Sequence, residues 1–168
     1  MTADYGTWLE MVTTGDDDDP GVRAAGADRF LREVFDRRGP ISVEELDAEA
    51  HRWALNLARE AVDLVIHDLH ATTDARPVVD VRLDEEYGLI VSYNGGYSTP
   101  SMHSMQNPEA TSEIGDYLQG EIADDLWTVW PTCKSHGGGL DAKARDGQAV
   151  WHCRLGNHRV ATIGQLTP

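Results

Sequence analysis

From Ser42 to about His70 the chain places apolar residues three and four apart: Val43, Leu46, Ala50, Trp53, Leu57, Ala61 and Leu64. A stripe held for about 30 residues at that period specifies one long amphipathic helix, and everything else must fold around it. Ser42 followed three residues later by Glu45 is a capping box, which fixes where the helix begins. Ahead of it, residues 22–38 read as a shorter helix with Ala27, Phe30, Leu31, Val34 and Phe35 on one face. Arg37, Arg38, Gly39 and Pro40 form its cationic last turn and its stop. A helical hairpin is the simplest product. The long stripe would also serve a homodimer, but packing against its own domain is the default use.

After ATTDA the period drops to two. RPVVDVRLD and YGLIVSYN are strand-like runs separated by DEEYG, which predicts a β-hairpin with Val79, Val81 and Leu83 on one face. GGYSTPSMHSMQNP, including Asn94-Gly95-Gly96, reads as a polar loop. A third helix follows over about 108–126, with Ala110, Ile114, Tyr117, Leu118, Ile122 and Leu126 inward. No internal repeat is present.

With 168 residues, 40% of them hydrophobic, the chain needs no covalent staple to hold a core. No apolar run approaches the ~20 residues of a membrane span, and MTADYGTWLEMV lacks the pattern of an export signal. A cytoplasmic protein is expected, in which two cysteines do not default to a disulfide. The net charge of −15 is unevenly spread. Residues 127–168 hold five cations (Lys134, Lys143, Arg145, Arg154, Arg159) and two anions, net +3, against nine cations and 27 anions, net −18, in the rest. The acidic body repels nucleic acid and anionic membranes; the basic terminal segment would either bind nucleic acid or dock on the acidic body, and docking is the default use of its charge. Asp16–Asp19 lacks the alternation and distal glutamate of a calcium loop and reads as a solvated tether.

Both cysteines and three of the seven histidines lie in WPTCKSHGGGLDAKARDGQAVWHCRLGNHRVATIGQL, residues 130–166. Cys133-x2-His136 before three glycines is a tight turn that aims a thiolate and an imidazole at one cation. Asp146-Gly147 is a hairpin turn, Gln148–Trp151 the returning strand, and VATI a closing strand stopped by Gly164. The order is that of a zinc ribbon, in which two turn-borne ligand pairs meet across a small antiparallel sheet. Cys133, His136, Cys153 and His158 would complete a closed tetrahedral Cys2His2 set, a structural site without an open position. The usual second knuckle is CxxC, and here its second position falls at Gly156, so His158, or His152, has to substitute. The alternative is a metal-free hairpin with two buried thiols.

The pattern W-P-x-C-x-x-H…D-G-x-A-V-W-x-C…G…V-A-x-I-G-x-L, over about residues 126–166, resembles the C-terminal region of a group of uncharacterised actinobacterial proteins. In that group a second histidine often follows the CxxH, where this chain has Gly137–Gly139. The resemblance implies the zinc-ribbon-like segment and no activity.

Asp63, His67 and His70 share a face near the end of the long helix and are the alternative metal site, of an enzymatic kind. The bland reading is histidines favoured in a helix's last turn. His51 reads as a polar-face residue, and His103 sits in the SMHSMQ loop within reach of either cluster. Serine elbows, P-loops and dinucleotide fingerprints are absent. Trp127, Trp130 and Trp151 gather around the terminal segment, either as its core or as a surface for a protein partner. The whole predicts an α+β protein: an acidic, partly flexible segment 1–21; an acidic body 22–126 of helical hairpin, β-hairpin and helix; and a zinc-ribbon-like module 127–168. A non-catalytic interaction or accessory role is the expected function.

Overall fold

A computed structural model describes residues 4–13, 27–100 and 102–168. The described elements are α1 (Tyr5–Thr13), α2 (Ala27–Arg38), α3 (Val43–Thr72), β1 (Val79–Asp84), β2 (Gly88–Tyr93), β3 (Gly96–Ser98), α4 (Asn107–Leu126), β4 (Leu140–Arg145), β5 (Gln148–Cys153) and β6 (His158–Thr162). The strands form two antiparallel sheets of order β1-β2-β3 and β4-β5-β6, so the fold is α+β. The tether around Asp16–Asp19 and the predicted first turn of α2 lie outside the described residues. No helix among the described residues is long and apolar enough to cross a membrane.

The capping box forms as the sequence predicts. Ser42 Oγ accepts from the Glu45 N–H at 3.2 Å, and the Glu45 carboxylate accepts from the Ser42 N–H at 3.1 Å. Along α3 the buried side is Leu46, Ala50, Leu57, Ala58, Ala61, Val62, Val65 and Leu69. Val43 and Leu64, which the simple periodic reading put inward, are exposed (45% and 38%). A helix with 3.6 residues per turn rotates its buried face over this length, so a fixed stripe drifts off it.

Two hydrophobic clusters share this helix. Its first half packs with Trp8, Val12, Phe30, Leu31, Val34, Ile41 and Met105. Its second half packs with Val81 and Val91 of the first sheet, Ile114, Leu118 and Ile122 of α4, and Leu140, Trp151 and Ile163 of the terminal segment. The terminal sheet therefore takes its core from the body's helices. Gly115 marks a close approach of α4 to that sheet: a Cβ there would stand 3.1 Å from the Ala142 Cβ and 3.3 Å from the Ile163 side chain.

Helix α1 has no counterpart in the sequence reading. Trp8 is its anchor, fully buried, with its indole N–H donating to the Ile41 carbonyl at 2.8 Å. The α2–α3 hairpin is clamped by Glu49, whose carboxylate takes Arg37, Arg38 and Arg52, each at 2.7 Å. Burial raises the Glu49 carboxyl, and the hydrogen bonds from Arg38 and Arg52 outweigh it, so its pKa is lowered overall. Gly39, at φ +73°, supplies the left-handed stop for α2.

The predicted β-hairpin is present, with Val79 opposite Tyr93 and Asp84 opposite Gly88. The loop reading of Asn94-Gly95-Gly96 is corrected. Asn94 (φ 48°) and Gly95 (φ 87°) form a two-residue turn into β3, which pairs with β2. Asn-Gly is the preferred pair where both central residues need positive φ.

Candidate metal centre

The Cys133 turn is built by backbone hydrogen bonds. Cys133 N–H donates to the Gly138 carbonyl at 2.8 Å, and the Cys133 carbonyl accepts from Gly137 N–H at 2.7 Å and His136 N–H at 3.2 Å. Gly137 needs its positive φ of 66° for the chain to turn there. Across the sheet, Asp146 (φ 51°) and Gly147 (φ 73°) make the predicted β4–β5 turn and set Leu140 opposite Cys153. Cys153 pairs in turn with His158 on β6. After Cys153 the chain turns back so that Gly156 N–H points at the Cys153 sulfur, 3.3 Å away.

These two turns bring one ligand atom each from Cys133, His136, Cys153 and His158 within 4.8 Å of one another. His136 Nδ1 lies 3.4 Å from both sulfurs, and His158 Nε2 lies 3.5 Å from Cys133 Sγ. A tetrahedral zinc with Zn–S near 2.3 Å and Zn–N near 2.05 Å has a sulfur–nitrogen edge of about 3.5 Å. The three sulfur–nitrogen distances match that edge. Both cysteines are free thiols and buried, His158 is half-buried, and His136 is exposed. The sulfurs form the floor of the cluster and the imidazoles its outer wall.

Burial pushes the Cys133 thiol up, but hydrogen bonds from His136, His158 and the Ser135 and His136 backbone N–H groups outweigh it and bring the pKa down to about 6. A thiol held mostly ionised at neutral pH is the form that ligates a metal. Two thiolates and two neutral imidazoles also cancel the charge of a divalent cation, which suits a half-buried site.

Gly156 explains why the second knuckle is not CxxC. The His136 ring covers it, and a Cβ there would come within 2.2 Å of the ring. The imidazole takes the space that a second cysteine would need. The choice between His158 and His152 also resolves geometrically. His152 is paired with Asp141 and Arg159, on the face of β5 opposite Cys153, and is 2% exposed. Neither of its ring nitrogens makes a hydrogen bond. Burial, then the Arg145 and Lys143 charges, lower its pKa, so it is a neutral ring packed outside the cluster.

The remaining sequence candidates fall elsewhere. Asp63, His67 and His70 are all exposed on α3, and among the described residues the Cys/His group is the one set of three or more ligating side chains close enough to share a metal. His103 is exposed and its backbone N–H donates to Glu113. His51 pairs with Asp47 one turn earlier. Trp130 and Trp151 are core residues, 5% and 0% exposed, stacked edge to face at 5.6 Å; as a partner surface they are excluded by burial. Trp127 alone of the three faces outward, 94% exposed. Of the five terminal cations, Lys143 and Arg154 pair with Asp141, at 3.1 and 2.8 Å. Arg159 donates to Gln148 and Thr162, and Lys134 to the carbonyls of Thr167 and Pro168.

One residue that positions the site escapes the sequence reading. Asp68 is fully buried. It accepts from Trp151 Nε1 at 2.6 Å, Gly164 N–H at 2.7 Å and Leu166 N–H at 2.7 Å. It thereby ties β5 and the segment after β6 to α3. The available signal was its place three residues after Val65 and seven after Ala61, on the apolar side of the helix, where a carboxylate must find donors.

Comparison with protein-family models, with curated proteins and with solved structures finds no match for this chain.

Proposed function

We propose that Cys133, His136, Cys153 and His158 hold one zinc ion in a closed structural site, and that the protein is a non-catalytic interaction or accessory module. The observation that carries the metal half is the clustering of the four ligand atoms, all within 4.8 Å of one another, with three sulfur–nitrogen distances of 3.4–3.5 Å. Zinc is favoured over other divalent ions because two sulfur and two imidazole ligands match its softness and geometry. All four positions are filled by protein, so no place remains for a bound water or substrate, and the ion's role is to join the two turns. A reducing cytoplasm, where the thiols stay free to ligate, is the compartment this reading requires. The interaction half rests on the absence of an open metal position and on large apolar side chains left exposed around the module.

Metal content by mass spectrometry on untagged protein, with thiols titrated before and after chelation, tests the site. One zinc per chain, released together with two newly reactive thiols, is the expected result. Protein purified without metal that also fails to take up zinc on titration overturns it.

A further inference from the structure

We propose that the pocket between the Cys133 turn, β6 and the segment after β6 binds a small monoanion with an apolar body, of the class of a medium-chain or aryl carboxylate. This goes beyond the reading of the chain as a structural zinc module and does not rest on it. The turn is held by its own backbone: Thr132 bridges Gly139, and Cys133 N–H donates to the Gly138 carbonyl at 2.8 Å.

The pocket has a volume of about 490 Å³, inside the roughly 300–1,000 Å³ range of small-molecule sites. Trp130, Pro131, Val160, Ala161 and Leu166 give it an apolar wall. Trp130 is locked in place, with its indole N–H donating to Thr72 Oγ1 at 3.0 Å and its ring against Trp151. Thr72 lines the pocket as well. A wall fixed in this way loses little freedom when a ligand arrives.

The charge of the ligand follows from the rest of the lining. The chain has 29 Asp and Glu against 14 Lys and Arg. Yet no Asp or Glu lines this pocket, and Lys134 and Arg159 do. The Arg159 guanidinium is committed to the Gln148 amide and the Thr162 hydroxyl, so it lends charge to the pocket and no free donor. Lys134 supplies the contact. Its ammonium donates to the main-chain oxygens of Thr167 and Pro168, which themselves line the pocket, and no Asp or Glu side chain among the described residues pairs with it. A carboxylate at that place makes a charge-assisted hydrogen bond, roughly twice as strong as one to a neutral oxygen. The Thr132 and Ser135 hydroxyls line the same pocket and make no hydrogen bond among the described residues, so they add donors for the second carboxylate oxygen.

One ammonium matches one negative charge. A dianion would bring a second into a chain whose net charge is −15, so monoanions are favoured. Among monoanions the apolar wall selects for a hydrocarbon or aryl body, since each methylene buried there tightens binding by about fourfold.

Calorimetric titration of the full chain with sodium octanoate, sodium acetate and 1-octanol tests this. Octanoate is expected to saturate at one per chain. It should bind at least about a hundredfold more tightly than acetate, which lacks the apolar body, and at least about tenfold more tightly than 1-octanol, which lacks the charge. Lys134→Gln is expected to weaken octanoate at least about tenfold and to leave 1-octanol unchanged. Arg145→Gln, which removes an exposed cation outside the pocket, is expected to leave octanoate unchanged. Octanoate uptake that does not saturate, or equal affinity for octanoate and 1-octanol, overturns the proposal. So does an equal loss in the two variants, since the chain's overall field would then account for binding. Displacement of octanoate by inorganic phosphate at equal concentration also overturns it, because the pocket would then hold anions without regard to an apolar body.

Discussion

Trp151 donates its indole N–H to Asp68 across 83 residues of sequence, at 2.6 Å and with both side chains fully buried. The carboxylate also receives the Gly164 and Leu166 backbone N–H groups, so one side chain on α3 holds both the middle strand of the terminal sheet and the segment that leaves it. Asp68→Asn keeps the shape but puts an amide N–H₂ where an acceptor is needed. Hydrogen bonds to a buried charged acceptor contribute about 1.5–3 kcal/mol each, and the substitution is expected to cost about 3 kcal/mol or more. Urea unfolding followed by near-ultraviolet circular dichroism checks it. A loss below about 1 kcal/mol would remove Asp68 from this role.

Removal of the metal is expected to loosen the two turns without unfolding the chain. Leu140, Trp151 and Ile163 remain packed on α3 and α4 whatever the cluster holds. Chelation or Cys153→Ser should therefore lower Tm while leaving helical circular dichroism near its starting value. Complete loss of helix would mean that the metal holds the whole core.

Gly156→Ala isolates the geometry of the cluster. A Cβ at that position would meet the His136 ring at 2.2 Å. The ring is able to swing away, since it is the end of an exposed side chain, but its Nδ1 then leaves the two sulfurs. Zinc affinity is expected to fall at least about tenfold, the range seen when a ligand's orientation is disturbed, with metal-free stability little changed. Competition with a chelating dye measures the first, and urea unfolding of the metal-free protein the second.

The Cys133 thiol sets a pH dependence in the metal-free protein. Its pKa is about 6 when folded, below the ordinary value of 9.0. An acid group depressed by folding contributes stability that is present above its unfolded pKa and lost as pH falls through its folded one. Metal-free protein should therefore lose stability as pH falls from about 9 to about 6, and Cys133→Ser should remove that slope. Unfolding curves at stepped pH decide it, and an identical slope in the variant would refute the assignment.

Glu49 provides the corresponding test at the other end of α3. Its three arginines are 36–57% exposed, so solvent screening reduces their effect. Glu49→Gln is expected to cost about 1–2 kcal/mol by urea unfolding. Because its carboxyl is lowered from 4.5, the stability it contributes is lost as pH falls below that value. The difference between wild type and Glu49→Gln should accordingly shrink in acid.

What was legible in the sequence was whatever depended on neighbours along the chain. Ser42 and Glu45 cap α3, Asp146-Gly147 turns β4 into β5, and the period of α4 is right to within a residue. The Cys/His spacing was enough to pick out the four side chains that come together because each pair sits on a local turn. The Asn94-Gly95 turn carried an equally clear signal, which the surrounding run of Gly, Ser and Pro obscured. Helix α1 was missed because a nine-residue element held by one buried Trp8 has too short a pattern to show a period. The exclusion of His152 and the buried role of Asp68 depended on which face of a strand or helix met a distant element. Spacing alone does not carry that information.

Asp68 also imposes an order in time. Leu166, one of its donors, follows it by 98 residues. At roughly 5–20 residues per second of synthesis, that is about 5–20 s after the aspartate has been made. Through that interval the carboxylate stands hydrated on the helix face that will become the centre of the core. The donors that let the aspartate be buried come from the middle strand of the terminal sheet and from the segment beyond its last strand, so they are among the last parts of the chain to be made.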